Sequence, residues 1–105
     1  MAERWIHVAD LRDVPAGEVR GYRAGEEWIA LCNLAGVIHA IEDVCPHDTG
    51  PLADGWIEGH EIVCPRHGAR FDVRSGKVTC LPATEGIRSY PVRIEGGRIL
   101  VRLDG

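Results

Sequence analysis

Two short stretches, Cys45-Pro46-His47 and Cys64-Pro65-Arg66-His67, carry the strongest signal in this sequence. Each stretch places one cysteine and one histidine two or three positions apart, and sixteen residues separate His47 from Cys64. Thiolate and imidazole are the side chains that bind soft and borderline transition metals best. The spacing therefore predicts a metal centre held by Cys45, His47, Cys64 and His67.

The grouping of these ligands bears on the kind of metal centre. A structural zinc site is one interpretation, since two Cys and two His form a common tetrahedral zinc set. Zinc loops usually keep like ligands together, with a Cys pair followed by a His pair. Here each loop mixes one Cys with one His, which favours a binuclear iron centre with two Cys on one iron and two His on the other.

Segments outside the two loops extend the pattern over nearly the whole chain; they are 11–18, 40–44 and 71–77. With them, the sequence resembles the small Rieske-type [2Fe-2S] ferredoxins that supply electrons to bacterial aromatic-ring-hydroxylating dioxygenases. The resemblance implies one Rieske cluster, with Cys45 and Cys64 on the buried iron and His47 and His67 on the outer iron. It also implies an electron carrier rather than an enzyme. Such a carrier takes an electron from a flavin-dependent ferredoxin reductase and passes it to a terminal oxygenase.

The length of the chain limits what it does. With 105 residues, we expect a single Rieske domain over 1–105, with a cluster-binding subdomain at about 43–72. Large oxygenase subunits also begin with a Rieske centre, but they add a separate iron domain for the oxygen chemistry. No residues remain here for such a domain, so we expect electron transfer without catalysis.

Two pairs of positions depart from the Rieske proteins of membrane-bound cytochrome complexes. Those proteins join their two ligand loops by a disulfide, and the resemblance places Gly50 and Arg66 at the matching positions. High-potential members also carry a Ser and a Tyr after the second His, where this chain has Ala69 and Phe71. Without those hydroxyl donors the extra electron is less stabilised, so we expect a potential toward the low end of the range of roughly −150 to +300 mV.

Short strand-like segments separated by Gly- and Pro-rich turns predict an all-β fold, an antiparallel sandwich or small barrel. The double glycine in Glu95-Gly96-Gly97 is typical of a tight hairpin turn, because both residues accept positive φ. Between Glu42 and Phe71 the composition changes to loop residues, which we interpret as the two-loop subdomain. The predicted strands cover 5–8, 19–23, 27–33, 37–42, 87–94 and 98–103, with 56–63 supplying strands that pair the ligand loops.

The remaining cysteines, histidines and tryptophans lack ligand spacing. We interpret Cys32 and Cys80 as buried small hydrophobic residues. The other histidines are expected on the surface or in strands, and the tryptophans in the core or at an interface rather than as electron relays. These residues are His7, His39, His60, Trp5, Trp28 and Trp56.

Composition narrows the partners and the location. The formal charge is −4, and the basic residues are scattered, so nucleic acid is not an expected partner. An acidic carrier fits docking on basic patches of a reductase and an acceptor. No apolar run approaches the roughly 20 residues of a membrane helix, and the start of the chain lacks a signal-peptide pattern. We expect a monomeric, cytoplasmic protein that does not enter a membrane.

One alternative function stays open at this point. The small subunit of NAD(P)H-dependent nitrite reductases shares the implied fold, and its members resemble the stretch Pro51-Leu52-Ala53-Asp54-Gly55-Trp56-Ile57-Glu58-Gly59. Retention of all four ligands favours the mobile carrier.

Overall fold

The computed structural model describes residues 3–46, 50–81 and 86–104, and the chain is built almost entirely of antiparallel strands. This confirms the predicted all-β class. Short 3-10 helices lie at Leu11–Asp13 and Leu52–Asp54. The strands are β1 (Glu3–Asp10), β2 (Val19–Ala24), β3 (Glu27–Leu34), β4 (Val37–Glu42), β5 (Trp56–Glu58), β6 (Glu61–Val63), β7 (Arg70–Asp72), β8 (Val78–Cys80), β9 (Ser89–Tyr90), β10 (Val92–Glu95) and β11 (Arg98–Asp104).

The strands form three sheets. A terminal sheet has the order β1-β11-β10, a central sheet has the order β2-β3-β4-β9, and a loop-side sheet has the order β5-β6-β7-β8. Each described pairing is antiparallel. Connections between neighbouring strands are short within β2-β3-β4 and within β5-β6-β7-β8, so both units are meanders of consecutive strands.

Strand β3 lies in the middle of the molecule because both of its faces are apolar. Ile29 and Leu31 point into a core shared with the terminal sheet, which contributes Ile99 and Val101. Side chains alternate across a strand, so the residues between and after them, Ala30 and Cys32, point to the opposite face. That face belongs to a second core, shared with the loop-side sheet.

The second core joins the central sheet to the region of the predicted ligands. From the central sheet it receives Ile41, and from the loop-side sheet it receives Ile62 and Phe71. Cys45 and Cys64 are members of the same core. The fold therefore places the two thiols in the core beneath the central sheet.

Most predicted strands agree with the structure to within one or two residues at each end, and β4 matches at both ends. The single strand predicted over 87–94 is wrong. The structure divides it into β9 and β10, which pair with different sheets. Pro91 lies between them, and proline supplies no N–H to a strand ladder, so the chain changes sheets there.

The hairpin turn predicted at Gly96-Gly97 is confirmed. Both glycines have positive φ, 57° and 78°, and they join β10 to β11 in register from Glu95↔Arg98 to Val92↔Val101. No helix in the described ranges is long and apolar enough to cross a membrane.

Candidate metal centre

The first ligand loop leaves the central sheet at the end of β4. Cys45 is fully buried, and its backbone N–H donates to the carbonyl oxygen of Gly50 at 2.8 Å. This bond closes the loop around the residues between them. His47, predicted as a ligand of the outer iron, lies outside the described residues.

The second ligand loop turns between β6 and β7. The N–H of Cys64 donates to the carbonyl of Ala69 at 2.8 Å, and the N–H of Gly68 donates to the carbonyl of Cys64 at 3.0 Å. Gly68 has φ of 76°, a value that glycine adopts without steric cost. The turn buries the Cys64 side chain completely and leaves His67 exposed.

The two loops thus direct their thiols inward and the described imidazole outward. Cys45 and Cys64 both pack in the second core. His67 lies on the surface, where a partner protein has access to it. This arrangement is the one expected of a centre with one buried and one outward metal.

A buried carboxylate anchors the start of the first loop. Asp43 is only 7% exposed, and its Oδ1 accepts the backbone N–H of Ala53 at 2.8 Å. The Asp43 carboxylate also accepts the backbone N–H of Leu52. The Asp43 backbone N–H donates to the carbonyl of Trp28 at 2.9 Å. Burial raises the pKa of Asp43, although the two N–H groups oppose that rise. Asp43 therefore ties the loop to the 3-10 helix at Leu52–Asp54 and to the central sheet.

Close backbone packing fixes the two loops beside one another. Gly55 directly follows this 3-10 helix. It approaches the backbone of Val63 so closely that a Cβ atom on Gly55 would overlap the Val63 carbonyl. Val63 directly precedes Cys64. Glycine is required at position 55 for lack of space rather than for an unusual φ, which is −87°.

The positions that lack hydroxyl donors are buried at the centre of this region. Ala69 and Phe71 are both fully buried in the core that contains Cys45 and Cys64. A methyl group and a phenyl ring offer no hydrogen bond to sulfur. The side-chain environment on this side of the thiols is therefore apolar.

The other two cysteines differ from each other. Cys32 is fully buried, as predicted, and burial raises the pKa of its thiol to about 12. The prediction for Cys80 is wrong, since this residue is exposed. Cys80 lies on β8, the edge strand of the loop-side sheet, opposite Arg70 on the solvent face. None of the four cysteines takes part in a disulfide.

The other histidines occupy strand or surface positions. His7 on β1 is exposed and lies 2.9 Å from Asp10, and His60, in the β5-β6 turn, is exposed and lies 3.8 Å from Asp72. His39 on β4 is partly buried, and this burial, with the charge of Arg74, lowers its pKa.

Two tryptophans are more exposed than a core position allows. Trp28 is 53% exposed, with the Arg23 guanidinium 5.3 Å from its ring, and Trp56 is 47% exposed, with its Nε1 donating to Glu58 at 2.6 Å. Of the two expectations, core or interface, the core is wrong for both residues. Trp5 is partly buried and stacks with Arg93 at 4.1 Å.

Sequence reasoning missed the contacts of Asp43 and Arg66. Arg66 was noted as a position that matches a disulfide cysteine of the membrane-bound proteins, yet its Nη2 donates to the carbonyl of Pro51 at 3.0 Å. Asp43 was noted only as part of a similar segment. Because the partners of both residues lie 10 or 15 positions away in the sequence, no local pattern reports these bonds.

The donor set fits an iron–sulfur centre better than an ion held in one cage. Two buried thiols in an apolar core suit an iron bridged by sulfide, since thiolates are the usual ligands of such clusters. An exposed imidazole on the same loop suits a second iron at the surface.

Comparison with known proteins agrees with this geometry. Residues 4–91 match the Rieske [2Fe-2S] domain family. The chain is 41% identical to the ferredoxin component of the naphthalene 1,2-dioxygenase/salicylate 5-hydroxylase systems of a Ralstonia species, over 99% of this chain and 100% of the relative.

Solved structures give the same result. The ferredoxin of carbazole 1,9a-dioxygenase from Nocardioides aromaticivorans IC177 is 31% identical, with a TM-score of 0.88 over 92% of this chain and 95% of that one. A chain from a complex of reduced oxygenase and oxidised ferredoxin in carbazole 1,9a-dioxygenase is 30% identical, with a TM-score of 0.85 over 92% of this chain and 91% of that one. The chain belongs to the Rieske [2Fe-2S] family, its cofactor is a Rieske-type [2Fe-2S] cluster, and it is an electron-transfer protein of the ferredoxin type.

Proposed function

We propose that this protein takes single electrons from a flavin-dependent ferredoxin reductase and delivers them to the terminal oxygenase of an aromatic-ring dioxygenase system. The observation that carries the proposal is the opposite placement of the two ligands of the second loop. Cys64 is buried in an apolar core, and His67 is exposed three residues later. A carrier needs this asymmetry, because the centre must be protected from solvent on one side and within reach of a partner on the other.

In this proposal Cys45 and Cys64 bind the inner iron as thiolates, and His47 and His67 bind the outer iron through a ring nitrogen. When bound, the cluster accepts and releases one electron. The protein forms one domain over 1–105, and the residues from about 43 to 72 form its cluster-binding subdomain. The hydrogen bonds Cys45 N–H to Gly50 and Cys64 N–H to Ala69 support this assignment, since each holds a ligand loop closed.

The proposed partners and location follow from the ferredoxin components that the chain resembles over its length. We propose a monomer that works in the cytoplasm. Its formal charge of −4 favours encounter with basic surfaces on the reductase and the oxygenase, and such encounters weaken as salt rises. Nucleic acid and membranes have no part in this function.

The small subunit of a nitrite reductase is less favoured as a function. The stretch 51–59 that suggested it forms the second 3-10 helix and β5, which are structural supports of the ligand loops. The relatives with which the chain aligns almost end to end are ferredoxin components of dioxygenase systems.

The electron route is tested with the iron-loaded protein, the ferredoxin reductase of its host and a candidate terminal oxygenase. We expect rapid bleaching of the visible absorbance with NADH and reductase, and recovery of the colour when substrate-loaded oxygenase is added under oxygen. Bleaching without recovery by any oxygenase of the host would contradict the proposed acceptor and leave the cluster assignment standing.

The ligand assignment is tested by replacing His67 with Asn. The His67→Asn variant should lose the spectroscopic signature of the cluster, because the outer iron loses a nitrogen ligand. His60→Asn is the matched control, an exposed histidine on the same sheet that should leave iron, sulfide and spectrum unchanged. One zinc and no sulfide in the purified wild type would exclude the whole proposal.

A further inference from the structure

The guanidinium of Arg66 reaches from the second ligand loop to the segment that follows the first. Its Nη2 donates to the carbonyl of Pro51 at 3.0 Å, and its Nη1 lies 3.6 Å from Oδ2 of Asp54. Pro51 caps the start of the second 3-10 helix, and Asp54 is the last residue of that helix. Arg66 therefore makes one charged hydrogen bond and one ion pair to a single short element.

The same guanidinium lies directly against Gly50. A Cβ atom at Gly50 would come within 2.5 to 2.8 Å of Cζ, Nε and Nη2 of Arg66, which is closer than real Cβ atoms pack. Glycine at position 50 thus provides the space that the planar group fills. The contact therefore depends both on the guanidinium of Arg66 and on the lack of a side chain at Gly50.

Both ends of this contact are attached to ligands. Gly50 accepts the N–H of Cys45 through its carbonyl at 2.8 Å, so a shift of Gly50 moves the backbone of Cys45. Arg66 stands between Cys64 and His67, inside the turn that orients them. The contact consequently joins the two loops at the point where their spacing sets the distance between ligands.

We propose that Arg66 is a positioning residue that locks the two ligand loops together through Gly50, Pro51 and Asp54, without a covalent bond. This inference rests on the proposed cluster site. Charged hydrogen bonds are stronger than neutral ones, whereas the partly exposed ion pair with Asp54 adds less. Removal of the guanidinium should therefore accelerate cluster loss about tenfold, and removal of the Asp54 charge about twofold.

The test uses the iron-loaded protein and the variant Arg66→Met, which keeps an unbranched apolar side chain but cannot donate hydrogen bonds. The decay of visible absorbance in excess iron chelator gives the rate of cluster loss at low and high salt. We expect about tenfold faster loss in Arg66→Met. High salt should speed the loss in the wild type and have little effect in the variant, because the ion pair is already gone.

Arg93→Met is the matched control. Arg93 also pairs with a carboxylate, Glu95 at 3.5 Å, but it lies on β10 in the terminal sheet, away from the ligand loops. Its rate of cluster loss should equal that of the wild type. Arg66→Lys keeps a charge without the planar group and should recover only part of the lost lifetime. The reduced Arg66→Met protein should also show altered or broadened electron paramagnetic resonance lines, with its urea midpoint unchanged.

A rate of cluster loss in Arg66→Met within twofold of the wild type would overturn the inference. An equal fall in the urea midpoint and the cluster lifetime would also overturn it, since Arg66 would then support general stability alone. If Arg66→Met does not load iron, Asp54→Asn and Arg66→Lys supply the same comparison in milder form. Failure of the wild type to bind iron and sulfide would instead reject the proposed function, so the two failures are distinguishable.

Discussion

The core between the terminal and central sheets and the loop-side region differ in the interactions that supplement apolar packing. The core between the terminal and central sheets is made of fully buried aliphatic side chains such as Ile29, Leu31 and Ile99 on strands of seven or eight residues. The loop-side sheet has strands of three residues, and its loops are closed by individual hydrogen bonds and ion pairs.

This difference shows that one kind of interaction stabilises the fold and another positions the ligand loops. Apolar burial stabilises a fold in proportion to area but does not specify direction, whereas a hydrogen bond fixes two atoms to within a few tenths of an ångström. The loop-side region also buries apolar side chains such as Ile62 and Phe71 against the central sheet, and in addition it must hold two thiols at a fixed spacing. It uses directional bonds for this purpose and relies on the central sheet for stability.

The largest effect on stability is expected from a cavity in the core between the terminal and central sheets, which we call the first core. Ile29→Ala should lower the free energy of unfolding by about 2–5 kcal/mol, because it removes a fully buried side chain and leaves a cavity. Urea unfolding followed by circular dichroism measures this change. Val37→Ala, at a position 58% exposed, should cost less than about 0.5 kcal/mol. An equal loss of unfolding free energy in Ile29→Ala and Val37→Ala would contradict the view that burial in this core stabilises the fold.

A smaller loss of unfolding free energy is expected when the buried carboxylate of Asp43, in the loop-side region, is removed. Asp43→Ala should cost about 1–3 kcal/mol, since the N–H groups of Ala53 and Leu52 lose their buried acceptor. The cluster should also be lost faster than in the wild type, as the first loop loses its anchor. Urea unfolding and iron release measure the two effects. The exposed control Glu95→Ala should change neither, and an unchanged rate of iron release in Asp43→Ala would show that this anchor is dispensable.

The apolar surroundings of the thiols can be altered by adding hydroxyl groups. Ala69→Ser and Phe71→Tyr should each raise the reduction potential by about 40 mV, if each new hydrogen bond favours the reduced state by about 1 kcal/mol. Redox titration of the wild type should give a value below about +100 mV. Val101→Thr adds a hydroxyl to the first core instead and should leave the potential unchanged. A fall in potential in the two loop-side variants would contradict the role given to Ala69 and Phe71.

The smallest effect concerns an ion pair at the rim of the loop-side sheet. Hydrogen bonds from the Arg74 side chain lower the pKa of Asp72 to about 2, from about 3.9 in an unfolded chain. The stability that this carboxylate contributes is therefore fully present above about pH 4 and is lost as the pH falls toward 2. Because Arg74 is exposed, we expect less than about 1 kcal/mol.

The measurement compares Asp72→Asn with the wild type in urea at pH 6 and at pH 3. The difference in unfolding free energy between the two proteins should shrink at the lower pH. A difference that grows as the pH falls would show that the pKa is shifted in the opposite direction.

The sequence predicted the regular part of the fold better than its edges. Alternating apolar residues and the double glycine at 96–97 located β2, β3, β4 and the β10-β11 hairpin, because these features depend on neighbouring residues alone. The strands β7 and β8 were not predicted, since strands of three residues carry too short a pattern. Cys80 was assigned to the interior because cysteine is weakly polar and usually buried. It is exposed because β8 is the edge strand of its sheet, and which strand lies at an edge is decided only when the sheet assembles.

The sequence singles out candidate ligands, but it does not reveal the residues that support them. Cys45, His47, Cys64 and His67 stand out in the sequence because metal chemistry requires particular residue types at short spacing, and the assignment of all four as ligands stays a prediction. The roles of Asp43 and Arg66 depend on contacts across 10 and 15 residues. Such contacts arise only after the sheets have packed, so a linear pattern does not contain them.

The alternation of β3 between two cores has a consequence for how the protein changes over evolution. Substitutions at positions 29 and 31 affect one interior, and substitutions at positions 30 and 32 affect the other, although all four lie on one strand. The scaffold can thus acquire greater heat tolerance on one face without disturbing the surroundings of the thiols on the other. A lineage is free to tune its redox chemistry and its robustness separately.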